Sequence, residues 1–414
     1  MRVLDGAMRY YAWGSRSAIA AVQGRRVPSA HPEAELWFGA HPGDPARVLG
    51  DDGAAEGTLL DVVEDDPVAA LGERSVDRFG ARLPYLLKLL AAEEPLSLQA
   101  HPSSVQAAEG FEAENVAGLP LDAADRNYKD PSHKPELVVA LTPFEALAGF
   151  RDPKRTVDLL AALAAPELEP YVSLLAEQPD SGGLRALFTT WITLPPNAVS
   201  ALMPKLLDAC VALLASDADG EYVREARTAL QLAEAYPGDS GVFASLLLNR
   251  VSLEPGEGLY LPAGNLHAYL HGVGIEIMAN SDNVLRGGLT PKHVDVPELL
   301  RVLDFDAVDV PLVEPRSLGD GEYVYDTPAP EFALARIELG AGAHTDLTER
   351  GPRIVLVTFG RVRVTCGGSV VDLPAGHAVW VADDEPDIRI DSDTEHAQVF
   401  LATTAQDGGR GSLG

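Results

Sequence analysis

Three short stretches gather side chains that could share one cation. In Ser97-Leu-Gln-Ala-His-Pro102, a strand over residues 97–101 would turn Ser97, Gln99 and His101 to one face and Leu98 and Ala100 to the other. Ser132-His-Lys-Pro-Glu136 leads into the apolar run 137–141, where the same alternation sets Lys134 beside Glu136. Asn265-Leu-His-Ala-Tyr-Leu-His271 places Asn265, His267, Tyr269 and His271 on one face. A Gln, two His and a Glu on facing strands would make a compact nitrogen and oxygen site suited to Zn²⁺. One carboxylate among neutral ligands leaves such an ion net positive, a Lewis acid with room for water or substrate. Taken singly, each fragment reads more readily as a hydrogen-bonded structural residue, and spacing alone leaves both readings open.

The elements that must position these groups fall into three textures. Up to about residue 151 the chain is rich in Pro and Gly, with short apolar runs such as 83–90 and 137–141 between turn signals, which predicts mainly strands with some short helices. From 152 to 239 the apolar residues recur at helical spacing, as in Leu202, Leu206, Leu207 and Val211, with Pro195-Pro196 as a break. Four or five helices are expected there. Strand texture returns after Tyr236-Pro-Gly-Asp-Ser240, with strands over 354–358, 361–365 and 378–381, and residues 406–414 read as a loose tail. Leu-Pro-Ala-Gly occurs at 261–264 and again at 373–376, each between strand-like segments. A strand, tight turn and strand used twice would give two jelly-roll barrels of one type, although four residues also fit a coincidental turn. The expected class is therefore mainly β with α. Residues 1–151 and 240–315 would form one discontinuous barrel, 152–239 an inserted α-helical domain, and 316–405 a second barrel.

Composition narrows the partners. At roughly 150 residues per domain, 414 residues suggest two or three domains. With 32 Lys and Arg against 62 Asp and Glu, the formal charge is −30, and so acidic a surface repels nucleic-acid phosphates and anionic lipid. No nucleic acid and no membrane are expected as partners. An anionic small molecule remains compatible, because charges beyond about 8 Å are largely screened and a few local cations dominate a pocket. The first fifteen residues contain no apolar leader core, and Cys210 and Cys366 are the only cysteines. These features suit a cytoplasmic, reducing setting and exclude a disulfide scaffold or a cysteine-rich zinc site.

Several longer motifs occur in order along the chain: Tyr11-Ala-Trp13-Gly-Ser15, Ala34-Glu-Leu-Trp-Phe-Gly-Ala-His-Pro42, Leu83-Pro-Tyr-Leu-Leu-Lys88, Gln99-Ala-His101-Pro102, His133-Lys-Pro-Glu136, Gly241-Val-Phe-Ala-Ser-Leu-Leu-Leu-Asn249, Leu261-Pro-Ala-Gly-Asn-Leu-His267-Ala-Tyr269 and Asn283-Val-Leu-Arg286-Gly-Gly-Leu-Thr-Pro-Lys292. Together they closely resemble the type I mannose-6-phosphate isomerases, from near the N-terminus to about residue 300. The resemblance implies a zinc enzyme that interconverts mannose 6-phosphate and fructose 6-phosphate on a cupin-type barrel, with one Zn²⁺ per chain, a sugar phosphate as partner, and a monomer or a dimer as the working unit. It places the metal ligands on Gln99, His101, Glu136 and His267 and the active-site arginine on Arg286. Lys134, Lys88, Lys292, Ser97, Trp13, Tyr269, Asp282 and Glu276 fall on neighbouring positions.

Such a reaction moves a proton between C2 and C1 of an open-chain sugar through an enediol. Zinc and Arg286 would stabilise the developing oxyanion. Lys134 is the first candidate for the base, since a neighbouring cation disfavours an ammonium, with a zinc-bound water, Asp282 and His267 behind it. Lys88, Lys292 and Ser97 are the phosphate candidates, and Trp13, Trp37 and Tyr269 the sugar-pocket walls. The remaining histidines, His41 and His133 among them, read as structural or surface residues. Two other classes share parts of the pattern: an Fe²⁺ oxygenase with two His and a carboxylate, disfavoured by Gln99 and the basic rim, and a non-catalytic sugar-phosphate sensor, disfavoured by intact Arg286 and Lys134.

Overall fold

The strand Tyr85–Ala92 contains no turn or charge-rich residue apart from Lys88, and all of it is buried. Its alternate side chains enter two different cores: Leu87, Leu89 and Ala91 point one way, and Leu90 and Ala92 the other, with Lys88 in register with the second set. A strand buried on both faces must have a layer on each side, and the rest of the chain supplies them. The computed structural model describes residues 1–216, 219–310 and 312–405, so the expected tail lies outside the described residues.

The layers follow from the alternation. Helices pack on Leu98, Ala100, Leu147, Ala268, Leu270 and Leu285, the outer face of a first sheet. The inner face of that sheet, with Ala146, Ala148 and Tyr269, meets Leu90, Val138, Ala140 and Leu259 of a second. The far face of the second sheet, with Leu36, Leu89, Val139 and Ile277, meets Leu4, Ile354, Trp380 and Phe400 of a nine-stranded third. The third sheet then packs Ile337, Val355, Val379 and Leu401 on Val362, Val364, Ile388 and Ile390 of a four-stranded fourth. Among the described residues the strand pairings are antiparallel, several of them interrupted by a bulge, and the first two sheets are joined as one eleven-stranded system.

That join is the long strand His267–Ala279. Its first part pairs with Phe144–Phe150 and Gln99, and its second with Tyr85–Ala92 and Glu136–Ala140. The register slips between Tyr269 and His271, and Gly272 follows with φ +130°. A Cβ at Gly272 would stand 2.8 Å from the carbonyl oxygen of Pro143, so only glycine lets the strand turn the corner here. The two halves consequently face each other across a narrow interior. That interior holds the site.

Three N-terminal strands leave the barrel in which residues 1–151 were expected. Arg2–Asp5 pairs with Ala378–Val381 and with Arg47–Leu49, which pairs with Ala55–Thr58, so these three strands complete the nine-stranded third sheet. Pairing across nearly the whole chain leaves no local signal in the sequence. The Leu-Pro-Ala-Gly echo, in contrast, is structural: Gly264 and Gly376 have φ +77° and +76°, and His267 and His377 each set Nδ1 on the carbonyl two residues back, at 3.0 and 3.1 Å. Only the first copy has acidic and histidine partners suited to a metal among the described residues.

The helical expectation holds, with α-helices at Pro153–Ala162, Glu169–Glu177, Ser181–Ile192, Pro196–Ser216 and Val223–Ala235. Pro196 opens its helix at the first position, where a missing N–H costs nothing. Among the described residues, that helix meets the length and composition needed to cross a membrane. It buries Val199, Leu202, Met203, Leu206 and Cys210 at helical spacing in the helical core, as a core helix of a globular protein does.

Candidate metal centre

His101 follows the strand Leu98–Ala100, Glu136 opens the strand Glu136–Ala140, and His267 opens the long strand. Strand alternation turns all three into the interior, and each is buried. One ligand atom from each lies within 4.8 Å of the others. Nε2 of His101 is 3.3 Å from one Glu136 oxygen and Nε2 of His267 is 3.4 Å from the other.

The ring nitrogens facing away decide the tautomers. His101 Nδ1 lies 2.8 Å from the carbonyl oxygen of Asn283, and His267 Nδ1 lies 3.0 Å from that of Asn265. A carbonyl can only accept, so each Nδ1 carries a proton and donates it, which leaves a lone pair on each Nε2. Both Nε2 atoms are buried without a hydrogen-bond partner. Burial holds the His101 imidazole neutral by lowering its pKa, against the opposing pull of Glu136. Burial would push the Glu136 carboxyl up, but Lys134, with Nζ 3.0 Å away, and the histidines hold it well below the usual carboxylate range. Two lone pairs and a carboxylate converging in a dry interior are mutually repulsive unless a cation joins them. The donor set fits zinc: imidazole nitrogens and one carboxylate, with the outer ring nitrogens tied to carbonyls. Gln99, on the neighbouring strand, is in register with His267 on one side and Arg286 on the other.

Above this floor opens a cavity of about 760 Å³. Trp13, Lys88, Ser97, Gln99, Lys134, Asp282, Arg286 and Lys292 all line it. Tyr269 and Glu276 do not; they form the layer beneath. Glu276 accepts from Lys88 Nζ at 2.8 Å and from the Tyr269 hydroxyl at 2.9 Å. Burial works against the Lys88 ammonium, yet Glu276 and Glu35 hold it protonated well above the ordinary lysine range. Lys88 is thus a neutralised cation. Arg286 and Lys292 are not: among the described residues neither has a carboxylate partner. Burial lowers the pKa of Arg286, and burial together with Arg286 lowers that of Lys292, so an anion between them would relieve both.

The N-terminal part, residues 1–153, matches the family model described as the phosphomannose isomerase type I catalytic domain. The chain is 39% identical over 402 residues to the mannose-6-phosphate isomerase of Escherichia coli (strain K12), covering 97% of this chain and 99% of that protein. The chain belongs to the type I phosphomannose isomerase family. A relative from Aspergillus fumigatus, also a mannose-6-phosphate isomerase, is 32% identical over 88% of this chain and 86% of its own. Among solved structures, a variant of phosphomannose isomerase from Salmonella typhimurium matches with a TM-score of 0.88 at 36% identity, covering 98% of this chain and 100% of that one. A zinc-bound mannose 6-phosphate isomerase matches with a TM-score of 0.87 at 36% identity, covering 98% and 99%. The antiparallel sheets and central helices are thus the cupin-type fold of that family.

Several residues of this family member's site escape sequence reasoning. His41, expected as structural or surface, is buried in the cavity wall with Nε2 3.2 Å from Asp282. Its Nδ1 accepts from Gly43 N–H at 3.0 Å, which puts the ring proton on Nε2, facing the carboxylate. That hydrogen bond holds Asp282 below the usual carboxylate range. Glu35 alternates with Leu36 and could have been read from that spacing; it binds Trp37 Nε1 at 2.6 Å. The helical block reaches the site too, because Ala235 and Tyr236 line the cavity and the Tyr236 hydroxyl donates to Pro95 O at 2.6 Å.

Proposed function

We propose that this chain interconverts mannose 6-phosphate and fructose 6-phosphate by proton transfer through an enediol, with one zinc ion held by Gln99, His101, Glu136 and His267. The observation that carries the reading is the convergence of His101, Glu136 and His267, with Nε2 atoms that have no partner among the described residues, beneath a cavity that bears Arg286 and Lys292, neither of them paired with a described carboxylate. Zinc held by these residues would supply a Lewis acid, which makes the C–H bond beside a polarised oxygen more acidic.

The protein's own groups supply the remaining work. Arg286, in the cavity wall, offers its guanidinium to the developing oxyanion as a preorganised charge. Lys134, at the cavity floor beside Glu136, carries the proton between C2 and C1, and Asp282 is the alternative carrier from the wall. His267 is less suited, being buried below the cavity with its free nitrogen facing Glu136. Lys292 and Ser97 receive the phosphoryl group. Lys88, already neutralised by Glu276, contributes hydrogen-bond donors more than net charge, and Tyr269 and Glu276 hold it in place. Trp13 provides a flat wall for the sugar.

Cys210 and Cys366 are both buried and free, in keeping with a reducing, cytoplasmic setting. The test is a coupled assay on mannose 6-phosphate with and without chelator. We expect turnover that chelator abolishes and Zn²⁺ restores. Full activity in verified metal-free protein, or none in zinc-loaded protein, overturns the reading.

A further inference from the structure

Asp239 lies where the helical insertion returns to the sheets, between the helix Val223–Ala235 and the short helix Gly241–Ser245. Both of its carboxylate oxygens are engaged by backbone. Oδ1 accepts from Gly241 N–H at 2.7 Å, and Oδ2 accepts from Thr290 N–H at 3.0 Å. Thr290 Oγ1 in turn accepts from Lys292 N–H at 3.1 Å. The segment held this way runs from Arg286 to Lys292, cations of the cavity wall that have no carboxylate partner among the described residues.

Between those cations Leu289 adopts φ +54°, a left-handed conformation that a non-glycine residue keeps only where its surroundings over-determine it. Two observations identify what does so. Its side chain is fully buried in the core of the helical block, and its backbone is wedged against the turn after Asp239. A Cβ at Gly241 would stand 2.7 Å from Leu289 N, and one at Gly288 would stand 2.8 Å from Gly241 Cα, so two glycines allow backbone to meet backbone. The Asp239 carboxylate is occupied by N–H groups and does not neutralise either cation; electrostatic repulsion from Arg286 still lowers the Lys292 pKa. Geometry, and not charge compensation, keeps the like charges together.

We propose that Asp239 is a positioning residue for phosphoryl recognition. Acting through Thr290, it places Lys292 in the cavity wall and makes the helical insertion part of what determines the substrate. The proposal rests on the sugar-phosphate reading above, and it explains why an insertion remote in sequence from the metal ligands ends in the cavity wall.

The test uses zinc-loaded Asp239→Ala, Asp239→Asn, Lys292→Ala and the Asp239→Ala/Lys292→Ala double variant. Steady-state constants for mannose 6-phosphate, the inhibition constant of inorganic phosphate and the phosphate-induced rise in Tm are measured for each. Asp239→Ala should raise KM and the phosphate inhibition constant together by about ten- to a hundredfold, with kcat changing by less than about threefold. Asp239→Asn keeps one acceptor oxygen and most of the volume, recovers part of the loss, and carries the test if the alanine variant does not fold. The double variant should bind phosphate within about twofold of Lys292→Ala alone, because the two residues act through one contact. Unchanged KM and phosphate inhibition beside a lowered Tm would show a merely structural role, and full additivity in the double variant would show that Asp239 does not act through Lys292. If the unaltered protein fails to turn over mannose 6-phosphate, yet its affinity for inorganic phosphate falls in Asp239→Ala, the substrate reading fails and the positioning role stands.

Discussion

His101 and His267 meet with ring centroids 5.1 Å apart, each presenting Nε2 inward and each anchored outward through Nδ1 to a backbone carbonyl. They come from strands far apart in the chain, and the strand Leu98–Ala100 pairs directly with the start of the long strand. The tautomer each ring must hold is therefore fixed by backbone before any ion arrives. Binding costs less when the lone pairs are already aimed.

Glu136→Gln tests the charge in that centre. The substitution keeps the shape but removes the carboxylate between the two imidazoles and leaves Lys134 Nζ without its partner at 3.0 Å. We expect zinc affinity to fall by at least about 10–100-fold, the cost usually seen even for outer-sphere changes, with a lower Tm from the unpaired buried lysine. Competition against a chromophoric chelator measures the affinity directly. Unchanged zinc retention would remove Glu136 from the ligand set.

Asn283→Ala tests the frame around the ligands. Asn283 is fully buried; its Oδ1 accepts from Lys129 N–H at 2.7 Å and its Nδ2 donates to Asp130 O and Ser132 O at 2.7 and 2.8 Å. Its carbonyl holds His101, so one residue ties that ring to the loop that leads into Glu136. The variant should lower the Tm of metal-free protein, since each stranded buried group costs about 1–3 kcal/mol. It should also shrink the further rise in Tm that zinc produces. A lowered baseline with an intact zinc increment would make Asn283 a fold residue only.

How much of this was readable beforehand depends on the range of the contact. Alternation is local, so the inward faces of Gln99, Glu136 and His267 follow from their own strands, as does the helical spacing from Leu202 onward. The tight turn at 261–264 is local as well. What no local pattern carried was the exchange of Arg2–Asp5 into the third sheet, the burial of Tyr269 and Glu276 beneath the cavity instead of on its wall, and the return of Asp239 to Thr290. Each depends on another segment: Ala378–Val381 for Arg2–Asp5, Lys88 for Glu276 and Thr290 for Asp239. His41 is the instructive case: its ring has no alternation partner, and its role appears only once Asp282 arrives from another segment.

The same pair yields a pH dependence. Asp282 has its folded-state pKa depressed below the ordinary 3.8, chiefly by the His41 hydrogen bond. A carboxylate depressed on folding contributes stability that is fully present above its unfolded value and is lost as pH falls through the folded one. The Tm difference between the unaltered protein and Asp282→Asn should therefore be constant from neutral pH down to about 4 and shrink below it. Thermal melts across that range read it out. A gap that widens on acidification would show that the carboxylate is not stabilised by folding.

Arg286→Ala separates catalysis from metal binding. The guanidinium lines the cavity, stands in register with Gln99, and has no carboxylate partner among the described residues, so its charge is available to substrate. Because it lies outside the cluster of His101, Glu136 and His267, its removal should leave zinc content unchanged. If it faces the developing oxyanion, kcat should fall by about 10²–10³-fold, the loss typical of one preorganised donor. Arg286→Lys restores the charge without the forked donor geometry and should recover only part of the rate. Zinc content by metal analysis and kcat on mannose 6-phosphate, measured on the same preparations, decide the matter. A normal kcat with raised KM would instead assign Arg286 to ground-state binding of the phosphoryl group beside Lys292.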